Sequence, residues 1–192
     1  MRLKALVWTA ILASTATAVG QAASTRFAHP QGDVAVTWNW VRTNAQPGGC
    51  GCFYLNGGGV SGSLKVTPRW SAVLEAGVEH NGSVPGVGTA LTLDSLHLGA
   101  RYALPQPWKN NNHAPLPFAQ ILAGATRAEG AEAGVANGEN RISALLGGGA
   151  DFPVRKHIAL RAQVDYYLTS FENTVNARQN NLRVVSGAVW RW

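Results

Sequence analysis

The chain has 192 residues, of which only 14% are charged and 22 are glycine. This charge content is well below that of an ordinary soluble domain, and the length suits one domain. Mean hydropathy is −0.03 and no apolar run reaches the roughly 18 residues of a membrane-crossing helix, so a multi-helix membrane protein is excluded. A coiled coil is excluded too, for want of heptads. The formal charge of +6 is scattered, without the basic run that nucleic-acid binding needs, so no nucleic-acid partner is expected.

The first element is an address. Arg2 and Lys4 precede the apolar stretch Ala5 to Ala13, and Ala16-Thr17-Ala18 or Gly20-Gln21-Ala22 offers a small-residue cleavage site. A secretory signal peptide is expected over 1–22, with the domain over 23–192. Its removal takes away Arg2 and Lys4 and leaves +4 of the formal +6.

Beyond the leader, apolar residues recur with a period of two, which sends them all to one face of a strand. Val34, Val36, Trp38 and Trp40 mark the first run. A Gly-rich loop is expected over 43–58, containing Cys50 and Cys52. A bridge between them would close a tight, strained ring in an oxidising compartment; free thiols, or redox or metal chemistry, are the alternatives. Val60, Leu64 and Val66 then oppose Ser61, Ser63 and Lys65. Trp70, Ala72, Leu74, Ala76 and Val78 oppose Ser71, Glu75 and Glu79, and Leu96, Leu98, Ala100 and Tyr102 oppose Ser95, His97, Gly99 and Arg101.

A proline-broken connection covers 103–114. A weaker fifth run spans 116–126, and a loop rich in Gly and Ala is expected over 128–140. Ile142, Ala144, Leu146, Ala150 and Phe152 share one side of the sixth run. In the seventh, Ile158 to Leu168 alternates with Arg161, Gln163, Asp165 and Tyr167. The eighth sets Leu182, Val184, Ala188, Trp190 and Trp192 against Arg183, Gly187 and Arg191.

Eight strands of about 9–11 residues are long enough to cross a bilayer at a tilt. Their connections tend to alternate between long and short, as in outer-membrane barrels, although the connection after strand four is long where a short one is expected. A soluble barrel and a membrane barrel differ in which face is wet. Charges of both signs (Glu75, Glu79, Arg101, Arg161, Asp165, Arg183 and Arg191) share the polar face and suit pairing across a narrow lumen. Trp38, Trp40, Trp70, Tyr102, Phe152, Tyr166, Trp190 and Trp192 share the apolar face, mostly near strand ends, as interfacial girdles do. The fold expected is all-β: an eight-stranded antiparallel up-and-down transmembrane barrel.

The leader, the runs Leu96 to Tyr102 and Gly147 to Asp151, and the closing run Arg178 to Val184 make the chain resemble the bacterial outer-membrane β-barrel domain family, of the small OmpA-like transmembrane type. Val189-Trp190-Arg191-Trp192 is similar to the C-terminal signal read by the barrel-assembly machinery, with Trp192 where Phe is usual. The resemblance implies a bacterial outer-membrane location, outer-membrane lipid around the barrel and assembly by that machinery. It does not imply one activity.

Motifs for chemistry are sparse, and neither a cofactor nor a metal is expected. Gly57-Gly58-Gly59-Val60-Ser61-Gly62 has dinucleotide-binding glycine spacing, but no helix follows to receive a pyrophosphate. His29, His80, His97, His113 and His157 lack metal-ligand spacing. Ser95 and His97 would be the nearest candidates for a lipid A-modifying pair, yet both point inward and no third group orients them. The function expected is a non-enzymatic barrel with a charge-paired lumen, serving envelope integrity or contacting a surface-loop ligand. The alternatives are a narrow porin-like channel or solute-binding lumen, and a lipid A-modifying enzyme.

Overall fold

The computed structural model describes residues 31–43, 53–84, 88–105, 114–132, 135–171 and 178–192. The expected leader and both cysteines lie outside these residues. Eight strands follow in chain order: β1 (Gly32–Arg42), β2 (Tyr54–Lys65), β3 (Trp70–Asn81), β4 (Leu91–Ala103), β5 (Leu116–Glu132), β6 (Val135–Arg155), β7 (Ile158–Thr169) and β8 (Gln179–Arg191). Each pairs antiparallel with its chain neighbours, and β1 pairs with β8 from Asp33↔Arg191 to Arg42↔Leu182, which closes the barrel. Closure gives every strand two partners, the condition for a sheet to stand in hydrocarbon without unpaired backbone.

One end of the barrel carries the connections 66–69, 104–115 and 156–157, and is called here the turn end. At the first of these, the Thr67 hydroxyl accepts hydrogen bonds from the amides of Arg69 (3.4 Å) and Trp70 (3.0 Å), so the side chain supplies the turn's missing acceptor. At the third, the register shifts between Pro153 and Arg155. Proline has no amide to give to a ladder and sits where pairing is interrupted. The other end carries the connections after β1, β3, β5 and β7 and is the loop end.

Two segments expected as loops are partly strand. β2 begins at Tyr54, inside the Gly-rich stretch expected over 43–58. Two of its glycines are there for space: a Cβ on Gly57 would fall 1.8 Å from the Val78 carbonyl oxygen, and one on Gly59 2.9 Å from that of Ala76. The dinucleotide-like glycine run is therefore an interior stretch of strand. Likewise, 128–140 is almost wholly strand, with β5 and β6 paired as far as Glu132↔Val135. Small residues there reflect a paired ladder, where composition alone suggests a loop.

The alternation resolves into two faces. Val36, Trp38, Val60, Leu98, Ile121, Ile142, Leu146 and Leu160 are exposed on the outside, while Ser61, Glu75, His97, Gln120, Asp151, Arg161, Asp165 and Arg183 are buried inside. Outward aromatics gather at the turn end as Trp70, Tyr102, Phe152, Trp190 and Trp192, and toward the loop end as Trp40, Tyr54 and Tyr166. Trp40 stacks on Tyr54 with ring centroids 4.8 Å apart, and Trp70 meets Tyr102 at the same distance. Trp38 lies farther from its strand end than the other aromatics of the set.

Candidate functional site

The eight strands enclose the barrel interior, and side chains fill it in two styles. At the turn end the filling is ionic. Arg161 on β7 meets its ladder partner Asp151 on β6 through two bonds, Nε to Oδ1 at 2.7 Å and Nη2 to Oδ2 at 2.9 Å. The same guanidinium lies 3.4 Å from Asp33 on β1, whose other oxygen accepts from Ser63 at 2.5 Å. Arg191 on β8 donates to Asp151 at 2.6 Å, and Arg101 on β4 lies 3.6 Å from Asp33. Arg101 also donates twice to Gln120, its ladder partner on β5, at 3.2 and 3.0 Å. Phe118 holds the pair of cations in place, with Arg101 4.5 Å and Arg161 5.1 Å from its ring centre. A delocalised guanidinium suits an aromatic face better than a compact ammonium would.

A second ionic group centres on Arg183 of β8, which is 1% exposed. It donates to Asp165 on β7 at 3.0 and 2.7 Å and contacts Glu75 on β3 at 2.5 Å. Gln163 donates to the same Asp165 oxygen at 2.8 Å. Gly147, the ladder partner of Asp165 on β6, leaves the space: a Cβ there would stand 2.3 Å from Asp165 Oδ1. Glu79 accepts from Asn39 at 2.7 Å, and no ion pair is assigned to it among the described residues.

His97 does not turn to Ser95. Its Nε2 lies 2.9 Å from Ser143 Oγ, which accepts from Thr126 at 2.8 Å, and Thr126 Oγ1 lies 2.5 Å from the Tyr167 hydroxyl. Ser95 donates instead to the Gly77 carbonyl at 3.4 Å. All of these side chains are buried inside the barrel, away from the lipid-facing surface. Among the described residues, no group of His, Cys, Asp and Glu is placed to hold a metal ion.

Toward the loop end the filling turns mainly apolar, although Thr43, Thr169 and Asn181 are buried there too. Val41, Phe53, Leu55, Val84, Leu93 and Phe171 are buried in one cluster that continues down the wall through Leu122, Leu145 and Val73. These inward apolar residues depart from the expectation that one face would carry the polar side chains.

Of the seven charged residues expected in the lumen, the structure brings Arg101, Arg161 and Arg191 into the turn-end group and Glu75, Asp165 and Arg183 into the second. It leaves Glu79 beside Asn39. Asp33, Asp151, Gln120, Phe118 and Asn39 were not singled out from the sequence. The signal was available for Asp33 and Asp151, which have the parity opposite to Val34 and Phe152. Nothing in the pattern marks Phe118 as a platform for two arginines. Trp190 faces outward near the turn end, stacked on His157, and Trp192 donates its amide to the Gly32 carbonyl at 3.2 Å.

A closed eight-stranded barrel with an oily exterior and ions inside is a transmembrane β-barrel of the bacterial outer membrane. The comparisons agree. The chain belongs to the outer membrane protein beta-barrel domain family, whose model matches residues 9–187. Its fold is similar to that of Neisserial surface protein A, at TM-score 0.68 and 15% identity over 84% of this chain and 97% of that one. It is also similar to Ail, the attachment invasion locus protein of Yersinia pestis (TM-score 0.58, 13% identity, 85% and 99% of the two chains). A third is the N-terminal β-barrel domain of Pseudomonas aeruginosa OprF (TM-score 0.53, 16% identity, 85% and 100%). No curated protein matches the chain in sequence.

Proposed function

We propose that this protein is a non-conducting, non-enzymatic outer-membrane barrel that acts through its bulk in the envelope and its loop-end surface. The observation that carries the reading is Arg183, buried between Glu75 and Asp165 in the middle of an interior that is ionic on one side and apolar on the other. A hydrated ion would have to displace a desolvated cation from two carboxylates, a step costing several kcal/mol, and then pass the apolar cluster. Residues 1–22 act as the export signal, Trp190 and Trp192 belong to the segment handed to the barrel-assembly machinery, and the loop end faces outside the cell.

The lipid A-modifying alternative has little support, because His97 and Ser143 face each other inside the barrel while a lipid substrate lies outside. Planar-bilayer recording tests the closed lumen. The purified protein should give no unitary steps, whereas Glu75→Ala or Arg161→Ala should open a measurable leak. Steady conductance from the unaltered protein would favour the narrow-channel alternative and end this reading. Orientation is tested separately, by labelling Cys52 in intact cells after reduction with an impermeant thiol reagent. A chain whose cysteines stayed unlabelled until lysis would have its loop end in the periplasm.

A further inference from the structure

Positive charge that is scattered along the chain is gathered by the fold at one end. Lys65, Arg69, Arg155 and Lys156 all lie exposed at the turn end. The side-chain carboxylates of that end are Asp33 and Asp151, which turn inward and are already engaged by Arg101, Arg161 and Arg191. Residues 1–32 and 104–115 contain neither Asp nor Glu, so those segments bring no further side-chain carboxylate, and Lys109 adds another cation. Even with the main-chain carboxylate of Trp192 counted, the exposed charge here is positive. Arg69, Arg155 and Lys156 form no ion pair among the described residues. The loop end has the opposite balance. Its segments carry Arg42, Arg127, Arg141 and Arg178 against six acids, with Glu132 and Glu172 among them.

These cations stand on the aromatic girdle. Arg69 donates to the Tyr102 hydroxyl at 3.1 Å and adjoins Trp70, whose ring lies 4.8 Å from that of Tyr102. Across the barrel mouth, Lys156 adjoins His157, which stacks on Trp190 at 5.7 Å. Aromatic girdles sit at the level of lipid headgroups, so the neighbouring cations stand at the height of the lipid phosphates. Apolar side chains are interleaved with them: Val66 beside Lys65 is 62% exposed, and Val154 beside Arg155 is 52% exposed. A lipid covers both parts, phosphate on the cation and acyl chain on the valine. An acidic protein approaching from the water supplies only the first.

We infer that the turn-end rim, through Arg69, Arg155 and Lys156, is a binding surface for the phosphate groups of anionic phospholipids. A guanidinium presents two parallel N–H donors to a phosphate, and Lys156 adds a point charge. The inference deepens the envelope reading above and rests on its orientation for placing these lipids in the periplasmic leaflet.

Electron spin resonance of the full chain in phosphatidylcholine bilayers tests it, with spin-labelled phosphatidylglycerol compared with spin-labelled phosphatidylcholine. The unaltered protein should hold the anionic lipid at least about threefold more strongly. About 0.5 M salt should reduce that preference, because the rim is exposed to water. Arg69→Gln, Arg155→Gln and Lys156→Gln together should bring it close to unity while the heat-modifiable folded band remains. Exchanging the same residues for the other basic type (Arg69→Lys, Arg155→Lys, Lys156→Arg) should keep most of it. Arg127→Gln with Arg141→Gln, at the other end, should leave it unchanged. Equal association of the two lipids with the unaltered protein would overturn the inference, as would a preference that survives the triple glutamine variant or disappears with the loop-end pair. Millimolar inorganic phosphate should not compete; if it erased the preference, the rim would be a site for a free anion instead. Polyglutamate bound without any lipid preference would turn the reading to an acidic protein and end this one. Lipid preference is read whichever way the barrel faces, so a wrong orientation would show in the Cys52 labelling and not here.

Discussion

The two ends of the interior solve the same problem by opposite means. At the turn end and mid-barrel, the strands hold guanidiniums and carboxylates in multiple contacts, as with Arg161 between Asp151 and Asp33 and Arg183 between Asp165 and Glu75. Toward the loop end, Val41, Phe53, Leu55, Val84, Leu93 and Phe171 pack as a soluble protein's core does. In lipid the outer face gains little by contact with acyl chains that are as apolar as itself, so stability must come from the ladder and the filling. An ionic filling is unforgiving, since every charge needs its partner. An apolar filling is tolerant, since it loses only the contacts removed.

That difference can be broken most forcefully at Arg183. Arg183→Ala leaves Glu75 and Asp165 buried without their cation and should cost about 3–5 kcal/mol, the range for breaking a buried pair from one side. The measurement is the urea midpoint of the heat-modifiable band on gels. Adding Glu75→Gln and Asp165→Asn should recover most of the loss; no recovery would mean that shape rather than charge made Arg183 necessary.

Leu55→Ala tests the apolar end. It should cost about 2–4 kcal/mol as a packing defect, and Leu55→Met should restore nearly all of it in the same assay. A comparable restoration by Arg183→Lys at the other end would erase the contrast drawn here. Smaller still is Gly147→Ala, whose Cβ would meet the Val164 carbonyl oxygen at 2.2 Å and Asp165 Oδ1 at 2.3 Å. Its expected cost is about 1–3 kcal/mol, and it should widen the dispersion of NMR shifts at Asp165 and Arg183 before it changes the folded yield. Least affected should be the exposed hairpin. Glu139→Gln breaks a half-exposed pair with Arg141 and should move the urea midpoint by less than about 0.5 kcal/mol. A larger change would show that the β5–β6 hairpin supports the barrel.

How much of this was legible depends on the range of the interaction. Alternation is local, so the parity of Glu75, Arg161, Asp165 and Arg183 could be read directly, as could the outward course of Leu96, Leu98 and Tyr102. Cross-barrel partners could not be read, because they depend on register and shear summed over several strands. Arg183 meets Glu75 across the lumen, far from it in the chain. His97 illustrates the same limit: the serine two residues away was the obvious partner, and the true one is Ser143 on β6. The glycine tracts misled for a related reason. Gly57 and Gly59 look like loop residues until the β3 backbone is seen beside them.

By itself, the order of residues determined the strand count, the outward oily face, the inward charges and the membrane in which they make sense, because a period of two and a low charge content act within one strand. Only the tertiary structure decided which ions meet and where the filling changes from ionic to apolar. Each of those follows from how neighbouring strands are staggered around a closed ring, a quantity no single strand contains.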